Sequence, residues 1–173
     1  MTLAPATTWS VSLWINNWDA NNILVGPGTT GGDTDGLWTR DNATNPRFQI
    51  RDIGGGSSIT ATGANITTDE WNHVVFTTDG STGFTLYLNG VAYTGEDPQT
   101  SNFVINTLAG GGGPSKTSNN YSGGQMDEVW IFDHELNQVE VDGLIANNNP
   151  VPEPGSMALL GLGGLLVGAR RRR

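Results

Sequence analysis

An all-β sandwich or barrel is the fold class this sequence predicts, on three observations. Residues 1–150 break into about ten short segments parted by Gly, Asn, Asp and Ser, the spacing of a sheet protein with many tight turns. Trp9-Ser-Val11-Ser-Leu13-Trp14-Ile15 alternates apolar and polar side chains, which is the period of a half-buried strand. Asn89-Gly90 stands between Leu86/Leu88 and Val91/Tyr93, where a two-residue type I′ turn needs φ > 0 at both central residues.

In chain order, the first strand is Trp9–Ile15, with Trp9, Val11, Leu13 and Ile15 inward and Trp14 facing the other way. Asn22–Val25, Gly36–Arg40, Arg47–Ile53 and Ser58–Thr62 follow as short strands. Trp71–Thr78 and Gly83–Leu88 are joined through Asp79-Gly80-Ser81, whose side chains suit a tight connection. Val91–Thr94 completes the Asn-Gly hairpin, and Phe103–Leu108 and Gln125–Phe132 complete the set. The expected core is Val11, Leu13, Val74, Phe76, Leu86, Leu88, Val129 and Ile131. Only residues 137–147 read as a helix: Asn137 can cap it, Glu140 stands three residues on as in a capping box, and Leu136, Val141, Leu144 and Ile145 supply apolar weight. Gly143 weakens it.

The last residues cannot belong to that core. Pro152 and Pro154 bracket Glu153 and bias the chain to an extended, accessible form. Met157, Leu159, Leu160, Leu162, Leu165, Leu166 and Val167 then give a glycine-interrupted apolar run of thirteen residues from Met157 to Ala169. A bilayer-spanning helix usually needs about 20. Arg170, Arg171, Arg172 and Arg173 close the chain with charge that stays on the cytoplasmic side of a membrane. A buried amphipathic helix fits badly, because the segment has no polar face. The expected division is a domain over residues 1–148 and a sorting and anchoring segment, with a separate hydrophobic tail helix, over 149–173.

Composition narrows the function classes. Residues 1–150 hold four basic against sixteen acidic side chains, a net charge of −12, so nucleic acid and anionic lipid are disfavoured as partners. The absence of cysteine removes thiolate metal sites, cysteine nucleophiles and disulfides. Met1–Thr8 lacks the charge and apolar run of a signal peptide, so the domain reads as N-terminally truncated.

Two resemblances follow from these residues. The order of Pro152-Glu153-Pro154, apolar run and arginine block resembles the PEP-CTERM sorting signal of Gram-negative bacteria that export proteins into an extracellular polymer matrix. It implies an exosortase-type processing enzyme as partner, transient membrane tethering through the tail, and release to the cell surface or matrix. The second rests on Trp9–Ile15, Glu70-Trp-Asn-His-Val-Val-Phe-Thr-Thr-Asp-Gly-Ser81, Leu86-Tyr-Leu-Asn-Gly-Val91 and Met126-Asp-Glu-Val-Trp-Ile-Phe132 with Leu136 and Glu140. In that order and spacing they resemble laminin-G-like domains of the concanavalin A-like lectin/glucanase superfamily. That resemblance implies a two-sheet antiparallel jelly roll that binds carbohydrate, here an extracellular polysaccharide or other matrix component; the opening strand of the family has no counterpart before Trp9.

Catalysis has little to stand on. Paired carboxylates for glycoside hydrolysis should share a strand face about 5–9.5 Å apart. Asp33/Asp35 lie in a glycine-rich stretch, Asp133/Glu135 follow a strand, and Glu140/Asp142 fall on the helix. The histidines are His73 and His134, and His73 reads as a packing or surface residue. The chain is therefore expected not to be an enzyme, with a degenerate glycosidase-like domain or a purely structural matrix protein as alternatives to the lectin reading. Asp127 shares parity with Val129 and Ile131, which turns it toward the core; a buried carboxylate needs either a cation, Ca2+ in an oxygen-rich loop, or several backbone N–H donors. Among the six tryptophans, Trp14, Trp18, Trp38 and Trp130 can face outward, and Trp38 with Arg40, together with Trp14, forms the candidate sugar-binding set.

Overall fold

A computed structural model describes residues 1–4, 7–18, 22–26, 36–41, 44–52, 55–64, 66, 69–81, 83–95, 102–105, 107–108 and 124–147. Twelve strands and one helix occur among them: β1 (Thr2–Leu3), β2 (Trp9–Asn16), β3 (Asn22–Gly26), β4 (Gly36–Asp41), β5 (Arg47–Asp52), β6 (Gly55–Thr60), β7 (Asn72–Thr78), β8 (Phe84–Leu88), β9 (Val91–Gly95), β10 (Phe103–Val104), β11 (Thr107–Leu108), β12 (Gln125–Phe132) and α1 (Gln138–Asn147). They form two antiparallel five-stranded sheets, β12-β2-β7-β8-β9 and β11-β3-β4-β5-β6, with β1 and β10 as a small separate pair.

The inner faces of the two large sheets meet in one apolar cluster. Val11, Leu13 and Ile15 of β2, Val74 and Phe76 of β7, and Leu86 and Leu88 of β8 come from one side; Leu24, Leu37, Phe48, Ile50 and Ile59 come from the other. Phe76 lies between the sheets with its ring edge-on to Phe48 at 6.1 Å and stacked with Phe84 at 6.4 Å. The period-2 pattern of β2 is the cause: every second side chain enters this layer. All eight core residues expected from the sequence are here, Val129 and Ile131 being only partly buried.

Local turn chemistry sets the register. Asn89 and Gly90 have φ of 50° and 82°, the left-handed pair a type I′ turn requires, and so Leu88 pairs with Val91 and Leu86 with Tyr93. Asp79 accepts hydrogen bonds from the Ser81 N–H and Ser81 Oγ, each at 2.8 Å, which fixes the β7–β8 connection.

Beyond shifts of one or two residues, three features differ from the sequence expectation. β6 starts at Gly55 instead of Ser58, because Asp52 and Arg51 pair with Gly55 and Gly56 and a ladder needs no side chains. Residues 103–108 divide into two strands that serve different sheets, Phe103–Val104 with β1 and Thr107–Leu108 with β3. Thr2–Leu3, ahead of the first expected strand, pairs with Val104 and Phe103, and the Met1 amino group donates to the Ile105 carbonyl at 2.9 Å.

The helix packs on the other side of the first sheet. Val141, Leu136, Leu144 and Ile145 cover Val75 and Tyr87, which turn away from the inner core. Its start is a capping box: Asn137 Oδ1 accepts from the N–H groups of Val139 and Glu140, and Glu140 Oε2 accepts from the Asn137 N–H.

Candidate functional site

The sequence-derived aromatic set does not form an open binding face. Trp38 does turn away from the core, opposite in parity to Leu37, but it is completely buried. Trp14 also lies on the face turned from the core and is 5% exposed, with its ring 4.9 Å from that of His73. Trp18 joins the core. Of the six tryptophans, Trp71 is half-buried and Trp130 is exposed, at 47%, its indole N–H donating to Glu128 Oε2 at 3.0 Å. The Arg40 side chain, Asp33 and Asp35 fall outside the described residues. So does the whole tail, including Pro152, Glu153, Pro154, the apolar run from Met157 to Val167 and Arg170 to Arg173.

Asp127 points the opposite way from its expected orientation. A bulge between Asp127 and Trp130 breaks the register with β2, and Glu128 adopts a left-handed φ of 48°. The extra residue reverses parity, so Met126, Val129 and Ile131 pack on the core while Asp127 is exposed. Asp127 Oδ1 accepts from the N–H of Glu128 at 2.8 Å, so the carboxylate secures the bulge from outside. Among the described residues no three His, Asp or Glu side chains gather as metal ligands.

The outer face of the helix-side sheet carries buried polar groups that alternation alone places in solvent. Ser12 Oγ and His73 Nε2 are 2.8 Å apart, and both residues are about 1% exposed. Burial pushes the His73 imidazole down to a pKa of about 4, because the charged form has no compensation there. Its Nδ1 and the Trp14 indole nitrogen have no hydrogen-bond partner among the described residues. A serine–histidine contact of this length suits nucleophile activation, but neither atom is open to a substrate. Beside it, Ser10 Oγ donates to the His134 carbonyl at 2.7 Å and lies 2.6 Å from Thr77 Oγ1, and both hydroxyls accept from the Leu136 N–H at 3.0 Å.

This polar row leads to an open cleft of about 260 Å3 at the end of the sheet. Ser10 pairs with Thr77, Thr77 with Thr85, and Thr85 with Thr94, so four hydroxyl-bearing side chains stand in one line across β2, β7, β8 and β9. The last three line the cleft, together with Asp79 from the β7–β8 turn and Glu135 from the segment leading into α1. Glu135 reaches beyond it electrostatically: burial first, and then Glu135 and Asp142, push the Tyr87 phenol up from its ordinary pKa. Sequence reasoning missed this cleft because its residues come from three separate segments. The register of the Thr77, Thr85 and Thr94 positions, fixed by the Asn-Gly and Asp-Gly-Ser turns, is the signal that locates it.

Other expected carboxylate pairs are dispersed: Asp133 and Glu135 lie between β12 and α1, and Glu140 and Asp142 lie on the helix. Glu140 is occupied in the cap, and Asp142 accepts from Gln138 Nε2 at 2.8 Å.

Two family models match the chain in tandem. One, described as the concanavalin A-like lectin/glucanases superfamily, matches residues 2–142; the other, the PEP-CTERM protein-sorting motif, matches residues 150–173. No curated protein matches. Among solved structures, domain 4 of AbnA, a GH43 extracellular arabinanase from Geobacillus stearothermophilus, in complex with arabinotriose, is similar with a TM-score of 0.53 at 18% identity, over 83% of this chain and 70% of that one. Trypanosoma rangeli sialidase in complex with 2,3-difluorosialic acid is similar with a TM-score of 0.54 at 16% identity, over 83% of this chain and 23% of the sialidase. The chain therefore spans less than a quarter of that enzyme, and what the two likenesses share is the jelly-roll fold.

Proposed function

Because the chain belongs to the concanavalin A-like lectin/glucanases superfamily and carries a PEP-CTERM sorting motif behind that domain, we propose that it is an exported surface protein whose sandwich binds saccharide. The observation that carries this reading is the order of the two matches. A lectin-like body followed directly by a sorting tail fits a module delivered to the outside to hold a matrix polysaccharide. The arabinotriose bound to the similar arabinanase domain supports a sugar as ligand. On this proposal an exosortase-type enzyme processes the tail near residues 152–156, after a transient stay in the membrane, in a Gram-negative host. The domain holds its ligand without cleaving it.

A purely structural matrix role is the second reading, and the burial of Trp9, Trp14, Trp18 and Trp38 favours it, since none offers a ring for stacking. Two measurements separate the outcomes. Mass spectrometry of the secreted protein is expected to find the chain ending between residues 152 and 156; an intact Arg173 in that fraction overturns the sorting proposal. Binding of the protein to a polysaccharide panel is expected to give at least one retained glycan, whereas retention on none supports the structural role.

A further inference from the structure

We propose that the cleft between the β7–β8 turn and the segment leading into α1 is a subsite for one neutral saccharide unit, with Glu135, Thr85 and Thr94 as the groups that grip it. The inference rests on the saccharide-binding reading above and gives it a place and a ligand class.

The hydroxyl row supplies the first reason. Of its four members, Ser10 and Thr77 are consumed beneath the chain, where they hold the Leu136 N–H and each other. Thr85 and Thr94 continue the same line into the cleft, half-buried and exposed in turn, and no side-chain hydrogen bond occupies either one among the described residues. A threonine hydroxyl both donates and accepts, as a sugar hydroxyl does. Two such groups a strand apart on a rigid sheet are a fixed template.

The carboxylates supply the second reason. Glu135 has no hydrogen-bond partner among the described residues, while Asp79 is held in place by both bonds to Ser81. Both line the cleft, and among the described residues no basic side chain does. Ionised carboxylates accept strong, charge-assisted hydrogen bonds from neutral hydroxyls. They repel a uronate or a sialic acid, and the excess of acidic side chains over the whole chain adds to that repulsion.

Size and shape give the third. At about 260 Å3 the cleft falls below the roughly 300–1,000 Å3 that receives drug-sized ligands, so it suits a single sugar ring at the end or edge of a longer chain.

The test is calorimetric titration of the full chain with arabino-, xylo-, gluco- and manno-oligosaccharides and with N-acetylneuraminic acid, in wild type, Glu135→Gln, Thr85→Val and Trp130→Ala, each checked for an unchanged melting curve. Binding of a neutral oligosaccharide is expected, weakened by about tenfold or more in Glu135→Gln, the usual scale for losing a hydrogen bond to a charged group. Thr85→Val is expected to weaken it less, Trp130→Ala to leave it intact, and N-acetylneuraminic acid not to bind. If a sugar binds but Glu135→Gln and Thr85→Val keep full affinity while Trp130→Ala loses it, the cleft is overturned and the saccharide-binding reading survives at Trp130. Failure of every oligosaccharide to bind wild type overturns both. Binding that vanishes with chelator yet is unaffected by Glu135→Gln points to a cation elsewhere and overturns the cleft.

Discussion

The two faces of the β12-β2-β7-β8-β9 sheet are both buried, but by different chemistry. The inner face is closed mainly by apolar side chains, Val11, Leu13, Val74, Phe76 and Leu86 all being fully buried. The outer face buries Ser10, Ser12, His73 and Thr77 as completely, and satisfies most of their polar atoms pairwise. Burial by itself therefore does not separate a structural face from a functional one. The inner face is held by volume, and any loss of volume there should be felt; the outer face is held by hydrogen bonds, so it depends on protonation and on individual oxygen atoms.

Phe76→Ala gives the largest expected effect on that contrast. The ring fills the space between the sheets against Phe48 and Phe84, and its removal should destabilise the domain by about 3–5 kcal/mol in urea denaturation. A loss below about 1 kcal/mol would mean that the inner face is not the close-packed layer described here.

The outer face should respond to acid in a way the inner face cannot. His73 is neutral in the fold down to a pKa of about 4, against 6.5 when unfolded. Between those values the unfolded chain binds the extra proton, so stability is complete above pH 6.5 and declines as pH falls toward 4. The limit of the loss is about 3 kcal/mol. Comparing urea midpoints of wild type and His73→Gln across that window isolates the histidine from the carboxylates common to both. Parallel curves would show that the imidazole is not buried in its neutral form.

The contrast also explains which parts were legible in the sequence. Alternation over Trp9–Ile15, the Asn89-Gly90 turn and the Asn137–Glu140 capping box are local signals, and the strands, the helix and the inner core are legible from such signals. The outer face is not local. Trp14 and Ser12 read as solvent-facing because alternation records only that they turn from the core, and nothing in β2 announces that both are buried there. Asp127 was misplaced for a narrower reason: one residue in left-handed conformation at Glu128 shifts every later side chain by one position, and a glutamate gives no hint of it. The cleft combines both difficulties, since Thr85 and Thr94 are legible as a cross-strand pair while Glu135 arrives from a segment 50 positions after Thr85 in the sequence.

The pair Thr77→Val and Thr85→Val carries the smallest expected effects and separates the buried half of the hydroxyl row from its open half. Valine keeps the shape but removes the oxygen that accepts the Leu136 N–H and meets Ser10 Oγ at 2.6 Å. Ser10 Oγ still reaches that N–H at 3.0 Å, so the group is weakened and not orphaned. The loss should be about 1–3 kcal/mol, toward the lower end, by chemical denaturation. Thr85→Val, one strand further along the same row and half-exposed, should change stability by no more than about 0.5 kcal/mol, because water replaces nothing that the protein supplied. Equal losses at the two positions would mean that Thr85 is also tied into the fold, leaving no hydroxyl for a ligand at the centre of the cleft. Unequal losses in the stated order would mark the boundary between the hydroxyls that build the outer face and those left open at its end.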